Sequence, residues 1–118
     1  MLWKELDMGH LVYGNLTEPI EIPDRILAHL RVVATTKLRR GECFTMSWHH
    51  QDGHPGGLST IWMQPAIPLR FVFDAEPDSI DGQILQRLAS AAGSSKGLVL
   101  DLDMFGELAR PALAVQAA

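Results

Sequence analysis

Residues 43–64, CFTMSWHHQDGHPGGLSTIWMQ, decide the fold, because two alternating segments flank a stretch of turn-forming residues. The segments 43–49 and 58–64 alternate large and small side chains, which is typical of β-strands. The intervening DGHPGG favours a wide hairpin loop. If that loop closes around 52–56, the numbers of paired residues sum to about 108, to within one register step. One face of the hairpin is then predicted to carry Phe44, Met46 and Trp48 together with Leu58, Thr60 and Trp62.

A helix is predicted on the N-terminal side of this hairpin, from Asp24 to a stop at Gly41. Its apolar residues recur at helical spacing. Pro23 suits the first helical turn, and Asp24 favours the positive end of the helix dipole. The residues that form the apolar stripe are Ile26, Leu27, Leu30, Val33, Ala34 and Leu38.

Further strands and a second helix complete the pattern. Strands are predicted at 10–13, 20–22, 68–74 and 97–102, in addition to those of the hairpin. The second helix is predicted to have Asp78 or Ser79 as its N-cap and to end at Gly93. The element order is therefore ββαβββαβ, which indicates an α+β fold: a mainly antiparallel sheet with two helices packed on it.

Composition favours one soluble domain. The 118 residues contain 47% hydrophobic and 20% charged side chains, values that are ordinary for a globular protein. We predict an N-terminal extension at 1–7, a single domain at 8–103 and a loosely ordered C-terminal tail at 104–118. No apolar run reaches the ~18 residues of a membrane span, and no secretory signal is visible. With a single cysteine, these features predict a cytoplasmic protein without membrane contact.

The histidines beside the hairpin loop raise the question of a metal site. His49, His50 and His54 are imidazole ligands of the kind that zinc prefers, and Asp52 is an alternative ligand. However, neighbouring residues on a strand point to opposite faces, so His49 and His50 do not readily share one ion. We predict a structural loop without bound metal and no cofactor, with His50, His54 and Asp52 as the remaining weak candidates for metal ligands.

Basic residues cluster at the end of the first helix. Arg31, Lys37, Arg39 and Arg40 are explained by stabilisation of a helix C-terminus. The alternative is contact with nucleic acid or an acidic partner, for which Trp48 and Trp62 are candidate stacking platforms. The net charge of −4 argues against binding of nucleic acid through bulk electrostatics.

Several stretches resemble a family of short actinobacterial proteins. MGHLVYG from Met8, DRILAHLRVV from Asp24, KLRRGECFTMSW from Lys37 and STIWMQPAIPL from Ser59 carry the resemblance, which covers roughly residues 8–102. Members of this family often bear the automatic label "ATP-dependent DNA ligase". Such ligases form a lysine adenylate at a K-x-D-G motif, which this sequence lacks. The resemblance therefore implies a domain of unknown function and supplies no catalytic residues.

The sequence favours a small non-catalytic binding or accessory module that acts through an unknown protein partner or self-association. Its candidate binding residues are Arg31, Lys37, Arg39, Arg40, Trp48 and Trp62. A nucleic-acid-associated accessory protein is the alternative. A third hypothesis is a small metal-dependent enzyme that uses the histidine loop, His49, His50 and His54.

Overall fold

The structure, a computed structural model, describes residues 8–14, 18–49, 57–75 and 79–100. The predicted extension at 1–7, the tail at 104–118 and the centre of the histidine loop lie outside these residues. The element order agrees with the predicted ββαβββαβ, and the α+β fold class is confirmed. The elements are β1 (Met8–Tyr13), β2 (Ile20–Pro23), α1 (Asp24–Arg39), β3 (Phe44–His49), β4 (Leu58–Met63), β5 (Leu69–Val72), α2 (Gly82–Ala92) and β6 (Leu98–Leu100).

The strands form two small sheets rather than the single sheet expected from sequence. The first sheet has the order β2-β1-β5, and both of its pairings are antiparallel. The second has the order β4-β3-β6. Its β3–β4 hairpin is antiparallel, whereas β6 runs parallel to β3.

The hairpin register lies one residue from the predicted sum of about 108, within the single step that the prediction allowed. Phe44 pairs with Met63 and Trp48 with Ser59, so paired numbers sum to 107. Because side chains alternate along a strand, this slip exchanges the two faces of β4. Met63 and Ile61 lie beside Phe44 and Met46 on the core face, and the predicted grouping of Trp48 with Trp62 is wrong.

The first helix ends as the sequence predicts. The amide of Gly41 donates to the carbonyl of Leu38 at 3.0 Å, and the amide of Glu42 donates to the carbonyl of Lys37 at 2.9 Å. This pair of bonds is a Schellman motif, which requires a left-handed residue after the helix. Gly41 supplies it with a φ of +74°.

The second helix begins later than predicted, because its N-cap is Asp81 rather than Asp78 or Ser79. The carboxylate of Asp81 accepts from the amides of Gln83 and Ile84 at 2.8 and 3.4 Å. An aspartate at this position satisfies amides that have no partner within the helix. Ser79 is exposed and precedes the cap, while residue 78 is outside the described chain.

The two helices lie side by side and run in the same direction. Near their N-termini, the amide of Asp81 donates to Nε2 of His29 at 2.8 Å. Near their C-termini, Nζ of Lys37 lies 3.6 Å from the position that a Cβ would take on Gly93. In addition, α1 packs on β1 and β2, and α2 packs on β3 and β6. The helices thereby bridge the two sheets over one hydrophobic core.

That core contains most of the stripe predicted for α1. Ile26, Leu27 and Leu30 are fully buried, and the core face of the second sheet contributes Met46, Met63, Leu98 and Leu100. In the described part of the chain, no helix is both long enough and apolar enough to cross a membrane.

Candidate protein-binding face

Among the described residues, the outer face of the second sheet carries the two most exposed large hydrophobic side chains. Strand alternation places every second residue of the hairpin on this face, away from Phe44, Met46 and Met63 in the core. Val99 joins it as the partner of Ser47 on β6. We call this surface the Trp62 face and define it by Thr45, Ser47, His49, Leu58, Thr60, Trp62 and Val99.

Two of its apolar side chains project into solvent. Trp62 is 54% exposed and Leu58 is 52% exposed. They lie on the same strand with Thr60 between them, so both point outward. Burial of a half-exposed tryptophan and leucine against a partner would remove a large apolar area from water, which is favourable.

The centre of the face is polar but internally hydrogen-bonded. The hydroxyl groups of Ser47 and Thr60 lie 2.7 Å apart, as cross-strand partners on β3 and β4. Ser47 is also buried, although it points toward the outer side. Since these hydroxyls bind each other, covering them requires less compensation from a partner than covering two free hydroxyls would.

Tyr13 holds the strand that carries Trp62. The Tyr13 hydroxyl at the end of β1 donates a hydrogen bond to the backbone carbonyl of Trp62, so it ties the first sheet to the second. Burial raises the pKa of the Tyr13 phenol above its usual value of 10.0; the backbone of Gln64 opposes this shift, and nearby Cys43 adds to it. Tyr13 therefore remains a protonated donor at neutral pH.

The second predicted platform, Trp48, does not belong to this face. It lies on the core side of β3, is half-buried and packs against the hydrophobic core. The structure thus separates the two candidate tryptophans onto opposite faces of one hairpin. A stacking role through Trp48 on this surface is excluded by that register.

The predicted basic residues have separate surroundings. The guanidinium of Arg31 lies 5.0 Å from the ring centre of Phe73, a cation–π contact at the end of β5. Lys37 forms an exposed ion pair with Glu42 at 3.4 Å. Arg39 and Arg40 are exposed at the end of α1. Because the carbonyl ends of both parallel helices lie near Lys37, stabilisation of helix C-termini accounts for its position.

The candidate metal ligands predicted from sequence belong to the histidine loop between β3 and β4. His50, Asp52 and His54 lie outside the described residues, and His49 is exposed at the end of β3. Within the described ranges, no group of three or more His, Cys, Asp or Glu side chains is placed to hold a metal ion.

Two buried polar side chains have structural roles that the sequence pattern did not reveal. His29 is 1% exposed. Its Nε2 accepts from Asp81, so Nδ1 carries the proton and donates to the carbonyl of Arg25 at 2.6 Å. Asp24 accepts from the backbone amides of Asp74 and Ala75 at 3.1 and 2.9 Å. The partners of both side chains are distant in sequence, which explains why local patterns missed them.

The fold and this surface define a small α+β domain with an uncharged, solvent-facing sheet face. The chain belongs to the family described as "Domain of unknown function (DUF7882)", whose model matches residues 8–103. No match was found to a curated protein or to a solved structure.

Proposed function

We propose that this chain is a non-catalytic protein-binding module that docks its partner on the Trp62 face. The observation that carries the proposal is the exposure of Trp62 and Leu58, 54% and 52%, on one strand of one face. Aromatic side chains of this kind are enriched at the centres of protein interfaces. Exposed apolar side chains grouped on a rigid sheet favour an interaction surface over a simple solvent boundary.

The chemistry of the face also supports a protein partner rather than nucleic acid. None of its seven residues is Asp, Glu, Lys or Arg. Phosphate backbones are held by lysine and arginine, and here Arg31 and Lys37 lie against Phe73 and Glu42. A single exposed tryptophan on a face whose seven residues include no Lys or Arg is therefore better suited to an apolar protein surface.

The buried polar groups favour structural roles over catalysis. His29 and Asp24 are the residues that a search for an acid–base pair would select first, but both are occupied by backbone groups. With both ring nitrogens bonded, His29 has no lone pair available for a substrate. Together with the missing K-x-D-G motif, this leads us to expect no adenylate on incubation with ATP.

The test compares variants that differ in which exposed apolar residue is removed. Tagged wild-type chain and the Trp62→Ser variant are cross-linked in an extract of the source cells, and bound proteins are quantified. Ile80→Ser is the matched control, because Ile80 is 41% exposed but lies outside the second sheet. We expect Trp62→Ser to lose partners that wild type and Ile80→Ser retain, while all three unfold cooperatively.

Equal capture by all three proteins would contradict the proposal. Salt-dependent binding of labelled DNA that is lost in an Arg39→Ala, Arg40→Ala double variant would instead support a nucleic-acid role through the end of α1.

A further inference from the structure

We propose that a second copy of this chain binds the Trp62 face, so that Trp62 of each copy packs on Leu58 of the other. This inference rests on the proposed protein-binding function and names the partner. Three properties of the face carry it: its lack of charge, the spacing of its two large apolar side chains, and the hydrogen bond at its centre.

The lack of charge permits contact between identical surfaces. The chain has a formal net charge of −4, so two copies experience a net electrostatic repulsion. The Trp62 face carries no Asp, Glu, Lys or Arg, and juxtaposition of like charges is therefore avoided there. A strongly charged partner would gain no electrostatic complementarity at this surface.

The spacing of Leu58 and Trp62 suits a two-fold axis. Each lies two residues from Thr60, in opposite directions along β4. At about 3.3 Å per residue, the two positions are roughly 13 Å apart. A two-fold axis that runs between the two sheets, across the strands and over Thr60, places Trp62 of each copy opposite Leu58 of the other, as an isologous dimer requires. One pair of residues thereby makes two equivalent apolar contacts.

The polar groups at the centre of such a dimer already form a hydrogen bond with each other before association. The Ser47 and Thr60 hydroxyls, 2.7 Å apart, lie where the axis would pass. Because they already bind each other, sheet-on-sheet packing buries fewer polar groups without partners. Two sheets packed in this way lie about 10 Å apart, a distance that large side chains such as tryptophan span.

The area of the face determines how tightly two copies are expected to bind each other. Five residues from each strand of the hairpin and the three-residue β6, at a strand spacing of about 4.8 Å, give a footprint of roughly 200 Å² per copy. Stable complexes bury about 1,200 Å² or more in total, so this face supplies only the centre of an interface. We therefore expect a transient dimer in which the population of dimer rises with concentration.

The test is a charge exchange at the two apolar positions. Sedimentation velocity of the purified chain from about 10 μM to 1 mM should show a rising average mass. Trp62→Lys alone and Leu58→Glu alone should each remain monomeric, because every contact in their homodimers opposes a charge to an apolar group. An equimolar mixture of the two should recover association, since it contains one Lys–Glu contact and one native Trp–Leu contact.

Ile80→Lys is the matched control and should associate as the unmodified chain does. Thermal unfolding of each variant should stay cooperative, because both substituted side chains are about half-exposed. A constant monomer mass for the unmodified chain, or a mixture that fails to recover association, would overturn the proposal. If partners in cell extract are still lost specifically in Trp62→Ser, only the choice of partner is wrong; if that loss is also missing, the binding function fails too.

Discussion

Gly97 lies at the entry to β6, where backbone conformation and space both demand a glycine. Its φ is +81°, a region that other L-residues rarely adopt. A Cβ at this position would collide with the Thr45 hydroxyl and would lie 2.9 Å from the Thr45 carbonyl oxygen. The close approach of these two backbones is what allows β6 to pair with β3.

We predict that Gly97→Ala destabilises the domain by about 1 to 3 kcal/mol, because strain at φ and the clash with Thr45 act together. Gly82→Ala is the matched control: nothing lies within 4 Å of its added Cβ, and its φ is not in the left-handed region. That substitution, in the first turn of α2, should be neutral or stabilise by up to about 1 kcal/mol. Urea unfolding of each variant measures the change in its free energy of unfolding. Equal effects of the two substitutions would contradict the assignment of strain to Gly97.

At the scale of elements, the sequence predicts the existence and order of the strands and helices better than their pairing. The α1 stripe around Leu30 repeats at one clear period and ends at Gly41, so the helix could be placed with its stop. By contrast, β4 carries apolar residues on both faces, Leu58 and Trp62 on one and Ile61 and Met63 on the other. Alternation alone therefore could not choose between neighbouring registers, and the exposed face was assigned to the wrong residues.

Pairing between distant segments was equally inaccessible to local patterns. The contact of His29 with Asp81, and the parallel pairing of β3 with β6, each join residues about 50 positions apart. Nothing in the amphipathic period of α1 distinguishes a buried histidine from one at its edge. The true N-cap of α2 was also missed, because three capping residues, Asp78, Ser79 and Asp81, compete within four positions.

Docking of α2 onto α1 leads to a prediction for Asp81. Its carboxylate caps α2 and lies 3.7 Å from Arg25, while its backbone amide binds His29. Asp81→Ala should lower the free energy of unfolding by about 0.5 to 2 kcal/mol, mainly through loss of the cap. The ion pair adds little, since both side chains are partly exposed.

Asp81→Asn separates the two contributions, because asparagine retains the capping oxygen but loses the negative charge. It should retain most of the stability in urea unfolding. A loss as large as that of Asp81→Ala would show that the charge, rather than the cap, holds α2 in place.

At the scale of the whole molecule, the bond from Tyr13 to the carbonyl of Trp62 links the first sheet to the second. It lies at the end of β1, where the amide of Gly14 extends the pairing with β5 by donating to the carbonyl of Pro68 at 2.8 Å. Deprotonation of Tyr13 therefore removes a hydrogen bond between the two sheets and also affects β4, the strand that carries Trp62.

We predict that the domain loses stability as pH rises above about 10 and that Tyr13→Phe abolishes part of this loss. The pKa of Tyr13 is raised in the folded state, chiefly by burial, so the unfolded chain releases the phenol proton at a lower pH than the folded chain does. Below the unfolded value of 10.0 both states are protonated and this group adds no pH dependence. Above it, stability falls until the folded phenol also ionises.

Tyr13 is the sole tyrosine of the sequence, so tyrosinate absorbance titrates this residue alone. Tyr13→Phe should lower stability at neutral pH by about 1 kcal/mol through loss of the bond to Trp62, and should show a flatter alkaline profile. If the stability of both proteins fell equally with rising pH, the raised pKa assigned to Tyr13 would be contradicted.

The parallel pairing of β6 with β3 also governs the order in which the chain can acquire its structure during synthesis. A ribosome delivers β3 and β4 early, and their hairpin can form as soon as both have emerged. The other edge of β3 has no hydrogen-bonded neighbour until β6 is synthesised, because residues 98–100 come 52 positions after the β3 residues with which they pair. A bare strand edge is a template for pairing with other chains. Translation that stalls before β6 should therefore yield an aggregation-prone intermediate, and nascent chains should depend on holdase chaperones until β6 emerges.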